Sequence, residues 1–236
     1  MKILSLDSSA RVATVALCED GRLLAEYTVN NGNTHSETLL PMIETMLRHF
    51  GIGTSEIDLF ACTSGPGSFT GVRIGAATLK GLAFATNKPC VGVSTPEALA
   101  ENLVGLPGLI CPVMNARRAQ VYTALFRSDG ETLTRLLPDA ALSIAELDEL
   151  LSAYGEPVVF CGDGYDVTVP SLKKTPYRPT PERLRHQSAF SVALCALREY
   201  KAGRAEGDTG LKIHYLRPCQ AERERMEREK QGAENT

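Results

Sequence analysis

The sequence lacks an excess of positive charge and has no long apolar run. Its 236 residues carry 25 Lys and Arg against 28 Asp and Glu, for a net charge of −3. A protein that binds nucleic acid by itself usually has a face rich in Lys and Arg, so any role on RNA is expected to be shared with a partner. The apolar start is interrupted at Asp7, too early for a signal-peptide core, and no later stretch is long enough to span a membrane. We expect a cytoplasmic protein.

Paired metal ligands are also missing. Seven cysteines are scattered without C-x-x-C spacing, which argues against the common zinc and redox motifs and predicts small, unpaired core residues. The four histidines include no pair spaced four residues apart and no H-E-x-x-H motif, which a helix-borne metal pair would require. We therefore expect no metal site, and we interpret His35 as a polar residue in the first turn of a surface helix.

What the sequence does contain is two successive α/β patterns. Residues 2–29 predict a three-stranded meander with an Asp20-Gly21 hairpin turn, and Thr34 to Glu37 matches a capping box that begins a helix. A strand at 59–63, a glycine-rich turn, a helix at 72–86 and a strand at 89–93 then predict a right-handed crossover. After breaker residues at 105–108, strands at 109–114 and 121–127, a helix at 144–154 and a strand at 157–161 repeat this order. A last helix is predicted at 189–202.

The repeat predicts an α/β protein of two lobes, each with a mixed sheet flanked by helices. We assign residues 1–105 to an N-terminal lobe that carries the partner-binding helices. Residues 106–220 form a C-terminal lobe whose last helix packs back on the first lobe. Residues 221–236 are expected to be a charged, mobile tail, because few apolar residues there could hold a helix against a core.

The most informative segment is the glycine-rich run from Ser64 to Gly75. Glycine and hydroxyl residues before a helix can present backbone N–H groups to an anion, which the helix dipole also favours. A tight turn, in which glycine lets two backbones approach, fits the same spacing equally well. The candidate cofactor-binding residues are Asp7, Gly65, Gly67, Ser68 and Gly71.

Four segments together resemble the bacterial TsaB family, also called YeaZ or glycoprotease-like. They are residues 3–9, residues 34–37, the run Gly-Pro-Gly-Ser-Phe-Thr-Gly-Val-Arg-Ile-Gly at 65–75, and Tyr-Leu-Arg-Pro at 215–218. The resemblance is strong over about the first hundred residues and at 215–218, and looser in the rest of the second half. It implies the actin-like fold that sugar kinases and heat-shock ATPases share.

The function implied by the resemblance is that of a non-catalytic accessory subunit. TsaB proteins take part in making threonylcarbamoyladenosine at position 37 of tRNAs that read codons starting with A. The implied partners are a TsaD-like catalytic subunit of similar fold and a TsaE-like ATPase, with tRNA met only through the complex. A homodimer is expected when the chain is isolated. ATP and metal are expected on the partner proteins, and no cofactor on this chain alone.

Two enzymatic alternatives are a phosphotransferase of the actin-like fold and a glycoprotease-like metallopeptidase. Kinases of this fold need a carboxylate near the end of the first strand of each lobe. Asp7 could supply the first, but Asn115 stands where the family usually has Asp, which weakens phosphotransfer. The Gly162-Asp163-Gly164 turn could serve a nucleotide, although a plain turn after a strand explains it as well. The metallopeptidase lacks its histidine pair.

Two helices of the first lobe carry the expected docking face. The first has apolar residues on more than one side, and the second has small residues at four-residue spacing, although a mid-helix glycine costs about 1 kcal/mol relative to alanine. Packing within the chain's own core is the alternative explanation. The predicted interface residues are Leu39, Met42, Ile43, Met46, Gly75, Thr78 and Leu82. A basic group at Arg178, Arg183, Arg185 and His186 is interpreted as a solvated loop in preference to a tRNA contact.

Overall fold

The computed structural model describes residues 1–217, which form two five-stranded sheets with helices on their faces. The elements of the first half are β1 (Lys2–Asp7), β2 (Ala13–Glu19), β3 (Arg22–Val29), α1 (His35–Phe50), β4 (Leu59–Gly65), α2 (Phe69–Thr86), β5 (Cys90–Ser94) and α3 (Thr95–Glu101). Those of the second half are β6 (Gly108–Asn115), β7 (Gln120–Ser128), β8 (Leu133–Ser143), α4 (Ile144–Ser152), β9 (Val158–Cys161), α5 (Tyr165–Thr168), β10 (Tyr177–Arg178) and α6 (Ala189–Lys201).

The two sheets have the same topology. The strand order is β3-β2-β1-β4-β5 in the first sheet and β8-β7-β6-β9-β10 in the second. In each, an antiparallel meander is extended by two parallel strands on its far side. This symmetry agrees with the duplication inferred from the sequence, and it confirms the predicted class of mixed sheets flanked by helices.

Alternation along β1 explains how helices cover both faces of the first sheet. Leu4 and Leu6 point into a core shared with α1 and α2, whereas Ile3 packs with α6 on the opposite face. Ser5 points the same way as Ile3 and donates to the carbonyl of Ala189 at 2.6 Å, at the start of α6. The last described helix therefore returns to the first sheet after the chain has completed the second.

Local signals placed most element ends correctly. The Glu37 carboxylate accepts from the Thr34 N–H at 3.2 Å, and Gly51 ends α1 in the left-handed conformation. The Thr34 hydroxyl contacts the Ser36 hydroxyl and makes no hydrogen bond to the backbone of the first turn. Of the two hydrogen bonds of the predicted capping box, only the one to the Glu37 carboxylate is therefore formed. Asp20 and Gly21 both have positive φ, as a tight hairpin requires.

Four elements were not predicted, and one helix begins earlier than expected. The short helices α3 and α5, the edge strand β8 and the two-residue strand β10 are additional. Helix α2 begins at Phe69, three residues before the predicted start, because the Ser68 hydroxyl caps it by accepting from the Gly71 N–H at 3.2 Å. The predicted tail at 221–236 and Cys219 lie outside the described residues.

Two predictions drawn from absences can be compared with the described chain. The cysteines up to Cys195 are all buried and unpaired, which confirms for those six the prediction of small core residues. Among residues 1–217, no helix is both long and apolar enough to cross a membrane.

Candidate functional site

A cleft of about 620 Å³ lies where strands of both sheets end. Its walls come from the turn after β1, the β4–α2 turn, the end of β6, the turn after β9 and the C-terminal segment 214–217. The carboxyl ends of parallel strands are where open α/β folds usually bind ligands, so this cleft is the candidate functional site.

At three glycines of the run at 64–75, the protein's own backbone fills the space that a side chain would need. A Cβ on Gly65, whose φ is +109°, would lie 2.5 Å from the His214 carbonyl oxygen, and one on Gly67 would lie 2.6 Å from that of Ser9. A Cβ on Gly71 would collide with the carbonyl oxygen of Ser8. These positions need glycine for contacts inside the chain, which favours the tight-turn interpretation.

Only two of the five candidate cofactor-binding residues, Gly67 and Ser68, line the cleft. Asp7, the proposed first-lobe carboxylate, is fully buried beneath it. One Asp7 carboxylate oxygen accepts from the Ser9 N–H at 2.7 Å, and the other has no hydrogen-bond partner among the described residues. Burial raises the pKa of Asp7 above its ordinary value. Asp7 therefore acts as a turn residue and does not face a ligand in the cleft.

The second lobe contributes an amide and one carboxylate to the cleft. The Asn115 side-chain oxygen accepts from the Arg117 N–H at 2.8 Å, which shapes the β6–β7 turn. Asp163 accepts from the Asn115 N–H at 3.2 Å, and burial raises its pKa. Gly162 and Gly164 pack against the Val113 carbonyl, as a plain turn after β9 would do. Asp163 is thus a second-lobe carboxylate at the cleft, but it follows β9 and does not stand at the end of β6, where Asn115 lies.

Within residues 1–217 no group of three His, Cys, Asp or Glu side chains could hold a metal ion. Nε2 of His35 lies 2.8 Å from the Ala10 carbonyl oxygen, so this histidine ties α1 to the turn after β1. The expected surface residue is thus half-buried and structural.

The C-terminal segment forms one wall of the cleft, which sequence reasoning missed. The His214 N–H donates to the Ser64 carbonyl at 2.8 Å, and the Tyr215 ring lies 4.9 Å from that of Phe69. Arg73 donates from Nε to the Tyr215 hydroxyl at 2.8 Å, and Arg217 reaches the Ala116 carbonyl at 3.3 Å. The sequence signal for this wall was the Tyr215-Leu216-Arg217 motif, which contributes to the family resemblance but was not assigned a structural role.

The structure corrects the accessibility of most predicted interface residues. Leu39, Met42, Ile43 and Met46 are 0–8% exposed because they form the core between α1 and the first sheet. Gly75 is buried against Ser8. On α2, Thr78 and Leu82 are half-buried. Side chains of the first five positions are therefore not available to another protein, whereas a docking role for the two helices stays a prediction.

The basic group of the second lobe is largely held by internal contacts. Arg185 pairs with Asp166 at 3.2 Å and lies 3.6 Å above the Tyr165 ring, and Arg178 donates to the Pro107 carbonyl at 2.7 Å. These contacts fasten the segment between β9 and α6 and give no support to a tRNA contact there.

The sequence is similar to proteins of one family. The family model for TsaD, tRNA N6-adenosine threonylcarbamoyltransferase, matches residues 23–191. The tRNA threonylcarbamoyladenosine biosynthesis protein TsaB of Bacillus subtilis is 35% identical over 162 residues, which are 69% of this chain and 71% of that protein. The protein of the same name from Escherichia coli is 34% identical over 131 residues, 55% of this chain and 56% of its own length.

Solved structures agree with these matches. YeaZ from Pseudomonas aeruginosa superimposes with a TM-score of 0.73 at 26% identity, covering 91% of this chain and 99% of that one. The activator of 2-hydroxyisocaproyl-CoA dehydratase from Clostridium difficile has a TM-score of 0.50 at 12% identity over 86% of this chain and 97% of its own, and it shows the fold alone. The expected two-lobed actin-like fold is confirmed. By sequence and by structure, the chain belongs to the TsaB (YeaZ) family.

Proposed function

We propose that this chain is a cytoplasmic, non-catalytic accessory subunit in the biosynthesis of tRNA threonylcarbamoyladenosine. It docks on a TsaD-like catalytic subunit, a TsaE-like ATPase joins the pair, and ATP and metal are held by those partners. Relatives at 34–35% identity are named as tRNA threonylcarbamoyladenosine biosynthesis proteins. Their name supports tRNA as the substrate class.

The observation that carries the proposal is that the described part of the cleft lacks the two strand-end carboxylates that phosphoryl transfer in this fold requires. Its glycines pack against Ser8, Ser9 and His214. The first-lobe carboxylate, Asp7, is fully buried, and Asn115 stands where the second carboxylate would be. Phosphoryl transfer depends almost entirely on positioned charges and metal ions, so a cleft without the two carboxylates that would place the metal ion has little means of that reaction.

The exposed side of α2 supports docking. Phe84 is 75% exposed, and Ala77, Gly81 and Ala85 lie on the same exposed side of this helix. A Cβ on Gly81 would meet nothing within 4 Å, so no contact within the described chain requires glycine there. Alanine would be about 1 kcal/mol more favourable in the isolated helix. A glycine at position 81 would allow the backbone of a partner protein to approach α2 closely.

Helix α1 also exposes large apolar side chains. Leu40 is 54% exposed and Phe50 is 38% exposed, on the helix that packs beside α2. Covering one large apolar side chain contributes roughly 1.5–3 kcal/mol. We take the TsaD-like subunit as the occupant because this chain matches the TsaD family model over residues 23–191, so two related lobes can present similar helix pairs to each other. A second copy of this chain would use the same face when that partner is absent.

The role is tested by reconstituting tRNA modification from the TsaD-like subunit, the TsaE-like ATPase and the enzyme that makes the threonylcarbamoyl donor, with and without this chain. Mass spectrometry of digested tRNA measures the modified adenosine. Product is expected only when the chain is present. Equal product without it would refute a required accessory role, and ATP hydrolysis by the chain alone would favour the phosphotransferase alternative.

The docking face is tested by Phe84→Asp, with Tyr177→Asp as the control. Both aromatic residues are exposed, but Tyr177 lies on the edge strand of the second sheet. Phe84→Asp should abolish co-purification with the TsaD-like subunit and leave the chain folded, whereas the control should bind normally. Full binding by Phe84→Asp would contradict the proposed face, and loss of self-association alone would assign the face to a homodimer.

A further inference from the structure

Arginines from three separate segments line the cleft. Arg11 follows β1, Arg117 lies in the β6–β7 turn, and Arg217 belongs to the C-terminal segment. Arg11 and Arg117 are exposed, while Arg217 is half-buried by its hydrogen bond to the Ala116 carbonyl. The cleft is thus bordered by positive charge from both halves of the chain.

This charge is not balanced within the part of the chain that the structure describes. Arg127, Arg135, Arg185, Arg198 and Arg204 all form ion pairs with carboxylates. Neither Arg11 nor Arg117 has such a pair among residues 1–217, and the one carboxylate that lines the cleft, Asp163, already accepts from the Asn115 N–H. In a chain of net charge −3, a cleft whose two exposed arginines have no ion pair among residues 1–217 favours an anionic ligand.

The turn that carries Arg117 has an unusual backbone. Arg117, Arg118 and Ala119 have φ values of +63°, +54° and +54°, a run of left-handed residues without glycine. Such conformations are uncommon for residues with a Cβ and persist where the surroundings hold them, often at functional sites. Here the Asn115 side chain holds the Arg117 N–H and thereby keeps Arg117 at the cleft.

The cleft also contains an aromatic surface. Tyr215 lines the cleft and is 46% exposed, with its ring packed against that of Phe69. Arginines beside an exposed aromatic ring are the usual components of sites for single-stranded nucleic acid.

We infer that this cleft binds the sugar–phosphate backbone of a single-stranded segment of the tRNA, with Arg11 and Arg117 at phosphates and Tyr215 beside a base. A volume of about 620 Å³ suits a short stretch of one strand. A nucleoside triphosphate is disfavoured for two reasons. Glycines of the run at 64–75 pack against the chain's own backbone, and the described residues contain no cluster of metal ligands. The identity of the RNA rests on the proposed function. The inference adds a direct contact to a tRNA that was expected to meet only the assembled complex.

Salt dependence provides a quantitative signature. Two phosphate contacts to a single strand give a slope of about −1.4 for log affinity against log salt, hence about a 7-fold loss between 50 and 200 mM salt. Without Arg11 and Arg117 the slope should fall to nearly zero. Because so few contacts bind weakly, the measurement starts at 50 mM salt.

The test measures binding of a fluorescein-labelled tRNA anticodon stem-loop to the full chain by fluorescence anisotropy. The double variant Arg11→Gln, Arg117→Gln is compared with Arg22→Gln, Arg183→Gln, which removes the same charge from two exposed arginines outside the cleft. Arg11→Lys, Arg117→Lys keeps the charge. Thermal melting of each variant verifies folding, and ATP with magnesium is the competing ligand.

The inference expects weaker binding and a shallower slope for the cleft Gln variant, near-normal binding for the control pair, and a retained slope for the Lys variant. Equal loss in the control pair would mean that only net charge matters, and it would overturn the inference. So would displacement of the RNA by ATP with magnesium, or no RNA binding by the wild-type chain at low salt. None of these outcomes alters the co-purification that tests the accessory role.

Discussion

The carbonyl oxygen of His214 lies 2.5 Å from the position that a Cβ atom would take on Gly65. This contact joins the end of β4 to the C-terminal segment, and the His214 N–H completes the junction by donating to Ser64. A glycine that sequence patterning offered to a ligand is thus required by another part of the same chain.

Gly65→Ala should destabilise the chain by roughly 2–3 kcal/mol, because the methyl group displaces His214 and the φ of +109° is strained for alanine. Urea denaturation measures the loss. Hydrogen exchange should also be faster at the His214 amide. Gly207→Ala is the control, since its Cβ would meet nothing within 4 Å, and it should change stability by no more than about 0.5 kcal/mol. Equal stability of both variants would argue against the junction.

Leu39 and Leu40 are neighbours with opposite environments. Leu39 is fully buried in the core of the first lobe, so Leu39→Ala should cost about 2–5 kcal/mol and Leu39→Glu should unfold the isolated chain. Leu40 is 54% exposed, so Leu40→Glu should leave the isolated chain within about 0.5 kcal/mol of wild type. Circular dichroism and urea denaturation measure both.

The same pair separates folding from docking. Leu40→Glu should weaken co-purification with the TsaD-like subunit while the chain remains folded. A folded Leu39→Glu chain that has lost only its partner would restore the original interface prediction, which the burial of Leu39 contradicts.

Asp7 should make stability fall as pH rises. Its pKa is raised in the folded state from an ordinary 3.8, because burial disfavours the charged form. The folded chain therefore binds this proton more tightly than the unfolded chain does. The stability that the protonated carboxyl group contributes is complete below pH 3.8 and is lost as pH rises through the folded-state pKa. Asp7→Asn should therefore gain stability relative to wild type as pH rises from 3.8 through the folded-state pKa of Asp7, as measured by urea denaturation at several pH values.

Asp129 provides a control of opposite sign. Backbone and side-chain hydrogen bonds from Thr132, together with the Glu131 N–H, lower its pKa to about 2. Its stabilisation is present above pH 3.8 and is lost as pH falls toward 2. Asp129→Asn should thus lose stability relative to wild type at neutral pH and converge with it in acid. If both variants changed with pH in the same direction, the assignment for Asp7 would fail.

The buried thiols should resist alkylation in the native chain. Burial raises the pKa of Cys18 and of Cys111 to about 12 and that of Cys90 to about 11, so little thiolate exists at pH 8. Iodoacetamide followed by peptide mass spectrometry should find these three cysteines unmodified until urea is added. Rapid native labelling of Cys111 would show that the second core opens readily.

Much of the fold was predictable because its signals are local. Hydrophobic alternation located the meander, the Asp20-Gly21 pair located a hairpin, and Gly51 located the end of α1. The edge strand β8 was missed because its side chains are mostly half-buried and show no clear alternation. Helix α3 was missed because seven residues give too short a periodicity, although Ser94 and Pro96 are typical helix-start residues.

The site was less predictable, because it depends on which distant segments meet. The sequence by itself determined the family, the two α/β repeats, the absence of a histidine pair and the substitution at Asn115. Only the tertiary structure decided that the glycine run faces Ser8, Ser9 and His214, and that apolar residues of α1 turn inward. A residue's type and spacing state what it can contact. Packing between segments far apart in sequence selects the contact that is made, because a close-packed interior leaves a buried side chain little room for any other arrangement.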